Sequence, residues 1–133
     1  MAMADNALSE SLEIVVERVG NPAPRIYERM FKRSPELEPM FVLDRDGSVR
    51  AEMIRLSFDA LLDLEQDGQY ARGLIATELT THGNNGITPD QFVSLFDTIR
   101  DVVREIVAGQ WQPRHEQAWN QVLSKMRDLV TRG

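Results

Sequence analysis

The stretch ELTTHGNNGITPDQF, residues 78 to 92, carries His82, one of two histidines in a chain of 133 residues that has no cysteine. An imidazole can ligate a metal, but a bare transition ion held by protein wants three or four such donors. His82 has no histidine or cysteine company in the sequence. Alone it can complete a coordination sphere only where a macrocycle supplies the other donors, as the porphyrin of haem does. The competing reading is a helix-ending residue, since a histidine in the last turn interacts well with the negative end of the helix and its free carbonyls. His115, between Arg114 and Glu116 at the start of the final helical segment, reads as an exposed polar residue. The acidic stretches Asp44 to Gly47 and Asp63 to Gly68 each resemble part of a calcium loop. Such a loop needs a bidentate acid six residues past its glycine, where Met53 and Leu74 stand, so both read as solvated turns. The chain has no glycine-rich phosphate loop, no nucleophile elbow and no histidine pair at i, i+4. Without cysteine, thiol nucleophiles, zinc–thiolate sites and iron–sulfur clusters are excluded together.

The elements that must carry these residues are helices. Apolar side chains recur at helical spacing in Leu12, Val15, Val16, Val19, in Ile54, Phe58, Leu61, Leu62, in Phe92, Phe96, Ile99, Val103, Ile106, and in Trp119, Val122, Leu123, Met126, Val130. No stretch alternates as a half-buried strand would. Thr88, Pro89, Asp90 and Gln91 read as N-cap, first-turn proline, early acid and capping-box amide, so a helix begins there. The preceding helix runs from about Gln69, with Ile75, Leu79 and His82 on one face, and Gly83 to Gly86 ends it. Ser34 as cap followed by Pro35 at the first position predicts a short capped turn through SPELEPMF. Proline and glycine punctuation leaves about six or seven helices in one all-α domain covering residues 1 to 133.

The balance of 15 basic against 21 acidic residues gives a formal net charge of -6, and the basic residues are scattered, which disfavours nucleic acid as a partner. The opening MAMADNALSES lacks a charged region followed by an apolar core, and no run of about 18 apolar residues occurs. A cytoplasmic protein with no membrane segment is expected.

The segments IYERMFKRSPELEPMF, THGNNGITPDQF and HEQAWNQVL resemble the globin superfamily, most closely the haem domain of bacterial flavohaemoglobins and single-domain bacterial haemoglobins. The likeness runs over nearly the whole chain. It rests on Tyr27 in the second helix, Phe41 fourteen residues on, His82 followed by Ile87 and Pro89, the Ala118-Trp119 pair, and Trp111 in the turn before it. The resemblance implies a globin fold with helices crossing at about 50° and haem b between the fifth and sixth helices. It implies His82 as the proximal iron ligand, Phe41 packed on the porphyrin, and Tyr27 as a hydroxyl donor to bound gas. Val49, Arg50, Met53, Ile54 and Phe92 would complete the cofactor pocket, with Val49 or Arg50 at the distal position where relatives commonly carry glutamine. Arg50 would enter the distal pocket or reach a haem propionate.

The chain also departs from that family. Phe92 stands where flavohaemoglobins have a tyrosine ten residues after the proximal histidine, and the final helix offers no matching glutamate. With those groups missing, His82 should be less anionic. The chain ends at Gly133 without a flavin or nicotinamide domain, so electrons would come from an external reductase. The resulting expectation is a globin that reversibly binds O2, NO and CO. Its rivals are an NO dioxygenase served by that reductase and a haem-free regulatory or partner-binding module.

Overall fold

The computed structural model describes residues 6–132; the leader reading above falls partly on residues 1 to 5, which lie outside them. The elements are α1 (Ala7–Val19), α2 (Ala23–Arg33), a 3-10 helix (Pro35–Phe41), α3 (Ser48–Glu65), α4 (Gln69–Asn84), α5 (Pro89–Val107), a 3-10 turn (Ala108–Gln110) and α6 (Pro113–Arg132). No strand occurs among the described residues, in line with the all-α expectation. No helix among them is long and apolar enough to cross a membrane.

Helix starts follow local chemistry. At α5 the Thr88 hydroxyl accepts from the Gln91 N–H at 3.1 Å, and the Gln91 side-chain oxygen accepts from the Thr88 N–H at 2.9 Å. Two first-turn donors are thereby satisfied reciprocally. That start sets the phase of α5, so Phe92, Phe96, Ile99, Val103 and Ile106 are all buried. The Pro35–Phe41 segment is tighter than an α-helix, with Leu37 N–H bonded to Ser34 O and Val42 N–H to Pro39 O. Pro39 inside it has no N–H to continue an α-helical ladder. The Ser34 side chain makes no cap bond there, contrary to the capped start expected.

Tertiary contacts supply the start of α1. The Asn6 side chain makes no cap bond. Instead the Glu65 carboxylate at the end of α3 accepts from the N–H groups of Leu8 and Ser9 and from the Ser9 hydroxyl, at 2.8, 3.3 and 2.8 Å. An anion at a helix N-terminus satisfies free donors and opposes the helix dipole. The helix α5 packs on α1, α2 and α6, and α6 also meets α1, α3 and α4, so these two long helices form the centre of the molecule. Trp119 of α6 is fully buried, and its indole N–H donates to Ser11 Oγ at 2.9 Å. Ser11 in turn donates to Leu8 O, so the indole N–H and the hydroxyl buried beside it are both hydrogen-bonded.

His115 is not the exposed residue its neighbours suggested; it is fully buried. Its Nδ1 accepts the Gln112 N–H at 2.8 Å, so the proton lies on Nε2, which faces Glu10 Oε1 at 2.9 Å. The imidazole thus occupies the third position of α6, where Gln91 stands in α5, and caps the helix in the same way. Arg114 also binds Glu10. Hydrogen bonds from Arg114 first and His115 second hold the Glu10 carboxyl at about 2, against an ordinary 4.5. Because the folded value is depressed, the Glu10 contribution to stability is complete above about 4.5 and disappears as pH falls toward about 2. Glu10→Gln is therefore expected to lower Tm at neutral pH and to flatten the acid limb of a Tm-against-pH curve in that window. An acid limb identical to the parent's would show that the α1–α6 clasp is not what acid breaks.

Candidate functional site

A cavity of about 440 Å³ lies between α3 and α4 and is closed by α2, the 3-10 helix and the start of α5. That volume falls within the roughly 300–1,000 Å³ common for small-molecule and cofactor sites. Counting the 3-10 helix, the flanking helices are the fourth and fifth helical segments, not the fifth and sixth as expected. The short 42–47 connection between the 3-10 helix and α3 carries no helix of its own, which accounts for the difference. The wall is mainly apolar. Its acids are Asp44 and Glu78, and neither lysine nor arginine lines it.

Tyr27, Phe41, Val49, Met53, His82 and Phe92 all line this cavity, although they come from five separate elements. Two aromatic groups shape it. Tyr27, Phe31 and Phe41 contact one another with ring centroids 5.2 to 5.7 Å apart, and His82 meets Phe92 edge-on at 5.5 Å, with Phe96 behind. These tilted and edge-to-face pairs suit the ring quadrupoles. The other two residues of the expected pocket lie elsewhere. Ile54 is buried within the hydrophobic core and does not line the cavity.

Arg50 is also absent from the wall. Its Nε donates to Asp44 Oδ2 at 3.0 Å and another guanidinium nitrogen donates to Asp44 O at 2.9 Å. Asp44 further accepts the N–H groups of Val49 and Arg50 at 3.0 and 2.9 Å, capping α3. Asp44 is nearly buried and acts as a structural hub, while Arg45 and Asp46 beside it are exposed as expected of a solvated turn. Burial pushes the Asp44 carboxyl up, but the two backbone donors and Arg50 outweigh that and hold it below the usual carboxylate range. Arg50→Ala keeps both backbone donors and is expected to cost about 1 kcal/mol in urea unfolding. Unchanged stability would show that the guanidinium adds nothing to the cap.

His82 sits in the last turn of α4, which closes with its carbonyl accepting from the N–H groups of Asn85 and Ile87 and with Gly86 at φ +87°. Its Nδ1 lies 2.7 Å from the Glu78 carbonyl oxygen. A carbonyl can only accept, so Nδ1 carries the proton and Nε2 keeps its lone pair. No residue among those described hydrogen-bonds Nε2. The missing tyrosine and glutamate acceptors are therefore replaced from within α4, one turn back. Glu78 also brings a carboxylate oxygen to 3.6 Å from Nδ1. It lines the cavity and escaped the reading of the sequence, although its spacing of four residues before His82 on a helix was the available signal.

Tyr27 is buried, and its hydroxyl has one partner among the described residues, Met53 Sδ at 3.8 Å. Burial pushes the phenol well above its ordinary value, so it remains a protonated donor at all ordinary pH. Chemically, the cavity joins one imidazole with a free basic nitrogen to the phenol hydroxyl of Tyr27, inside a mainly apolar wall whose other polar groups are Asp44, Ser57, Glu78, Asn85 and Gln91.

The globin family model matches residues 24–129. Among curated proteins the chain is similar to an anaerobic nitrite reductase of Physcomitrium patens, 21% identical over 139 residues, covering 95% of this chain and 77% of that protein. No solved structure matches the chain at comparable significance.

Proposed function

The chain belongs to the globin family, and from that premise we propose that it holds haem b through His82 and reversibly binds the diatomic gases O2, NO and CO. The observation that carries this reading is the state of His82, whose Nδ1 proton is given to Glu78 O while Nε2 has no partner among the described residues. This is the condition a neutral imidazole must meet to ligate a metal, and its second nitrogen is fixed by a backbone acceptor as ligating histidines usually are. The donor set fits haem and no bare ion, since among the described residues no cluster of three metal-binding side chains exists. The mainly apolar wall suits a porphyrin face, and Phe41 and Phe92 supply ring surface for it. When bound, haem supplies an iron centre with room for a gas. The protein's own part is to hold that group, exclude water with the apolar wall, and offer the Tyr27 hydroxyl as donor.

The test is reconstitution of purified protein with haem, followed by absorption spectroscopy. Saturable uptake of one haem per chain, with a Soret band that shifts under CO, is expected. Failure to take up haem would sink the reading and leave the haem-free partner-binding module.

The similarity to a nitrite reductase supports a second, redox reading, in which an external reductant drives turnover of nitrite or, with O2, of NO. Reducing nitrite to NO and water consumes one electron and two protons. A mainly apolar cavity with the Tyr27 hydroxyl as donor and one imidazole with a free nitrogen is what gas binding itself needs, so gas binding is the first reading. Anaerobic nitrite consumption and aerobic NO consumption, each with a chemical reductant, separate the two.

One consequence concerns Glu78. A carboxylate oxygen 3.6 Å from Nδ1 would strengthen electron donation by the imidazole and favour the more positive, oxidised metal. Glu78→Gln is expected to raise the haem reduction potential in spectroelectrochemistry, with haem stoichiometry kept. An unchanged potential would mean that the backbone carbonyl alone governs His82.

A further inference from the structure

We propose that Met53 decides how available the Tyr27 hydroxyl is to a bound gas, and that its sulfur is a modification site. As the thioether it is the hydroxyl's weak resting acceptor; as the sulfoxide it becomes a strong acceptor that withholds the hydroxyl. The proposal rests on the gas-binding reading above.

Four observations carry it. The Tyr27 hydroxyl, on a residue 2% exposed, has Met53 Sδ at 3.8 Å as its partner among the described residues. The Tyr27 ring is fixed by Phe31 and Phe41, so the hydroxyl has little freedom to seek another partner. The nearby polar groups are already committed, with Asp44 bonded to the start of α3 and the Ser57 hydroxyl donating to Met53 O at 2.8 Å. Met53 is half-buried and lines the cavity, so a small oxidant that reaches the gas site reaches its sulfur.

A thioether is a poor acceptor and the contact is long, so a gas ligand that draws electron density competes for the hydroxyl at little cost. Oxidation reverses this ranking. A hydroperoxide transfers one oxygen to Sδ: the O–O bond breaks, an S–O bond forms, and sulfur gives up two electrons. The departing oxygen keeps its proton balance as water, from hydrogen peroxide, or as an alcohol. The product is polar and carries a strong acceptor oxygen beside the hydroxyl. The same cavity would then release O2 faster, although no residue touching the haem-binding nitrogen has changed.

The experiment uses the full chain carrying Met40→Leu, because Met40 also lines the cavity, is 48% exposed and would itself be oxidised. Hydrogen peroxide treatment, with peptide mass mapping to confirm Met53 sulfoxide, should speed O2 release roughly 10-fold toward the Tyr27→Phe rate. CO release should change little, and in a Tyr27→Phe background oxidation should have no effect on O2 release. Equal effects with and without the Tyr27 hydroxyl, or equal acceleration of CO, would overturn the proposal.

A second arm needs no haem. The chain has two tyrosines, and Tyr70 is 54% exposed, so ultraviolet resonance Raman bands that vanish in Tyr27→Phe report the buried hydroxyl alone. In the apoprotein, Met53→Leu, a substitution of similar volume, should shift those bands. An unchanged spectrum would show that the sulfur is not the acceptor. If haem uptake fails, the gas-binding reading falls and this arm still decides whether Met53 holds the hydroxyl.

Discussion

His82→Ala is expected to lose stoichiometric haem while retaining its helical circular dichroism. The residue supplies the one imidazole of the cavity wall, and the remaining wall groups are two carboxylates already engaged or half-exposed, amides, hydroxyls and thioethers. Altering even an outer-shell partner of a metal ligand typically costs ~10–100-fold in affinity, so removing the ligand should exceed that, with haem loss accelerated by more than about 100-fold. The fold should survive. His82 is partly exposed, its ring contact is one edge-on pair with Phe92, and α4 keeps its other caps through Asn85 and Ile87. The measurement is transfer of haem to an apo-acceptor protein, followed spectrally, with imidazole added as a control. Free imidazole should restore haem to His82→Ala by occupying the vacated space. If the variant holds haem as tightly as the parent, the iron bond has been assigned to the wrong residue.

Tyr27→Phe should speed O2 release by roughly 10- to 100-fold while changing CO release far less. A hydrogen bond to a charged or strongly polarised acceptor is worth about 1.5–3 kcal/mol, and CO carries little charge on its outer atom. The ring stays, so contacts with Phe31 and Phe41 and the shape of the cavity are preserved. The hydroxyl's partner in the folded protein is a thioether at 3.8 Å, so its removal should cost less than about 1 kcal/mol of stability. Stopped-flow displacement on both proteins gives the two rates, with CO as the control for steric disturbance. Equal acceleration of both gases would assign the effect to the ring. No acceleration of either would show that the hydroxyl does not reach the gas, and the Met53 proposal would fall with it.

Much of the architecture is legible in local chemistry. The Thr88–Gln91 box and the proline at the first position of α5 act over a few residues, and the start of α5 read from them agrees with that observed, whereas α4 runs two residues past His82, through Gly83 and Asn84. The helical period likewise identifies the buried faces of α5 and α6, because an apolar stripe must be covered whatever covers it. The isolation of His82, which turns the argument toward a macrocycle, is a matter of counting residues.

The polar partners were less accessible, because a hydrogen bond or ion pair can join residues far apart in the chain. His115 looked exposed among charged neighbours, yet Glu10, 105 residues away, closes over it and supplies the acceptor that makes its burial tolerable. Arg50 looked available for an anionic group, but the turn into α3 brings the nearly buried Asp44 to it first. The sequence by itself therefore determines the helices, the buried faces of α5 and α6 and the isolation of His82, but not the face of α1, where Val16 and Val19 of the expected stripe are exposed. Only the tertiary structure decides that Tyr27, Phe41, Met53 and His82 share one cavity, that the buried hydroxyl rests on sulfur, and which charges are spent on holding helices together. Periodicity reports which face of a helix is buried, but carries no information on which neighbour covers it or where that neighbour's polar atoms fall.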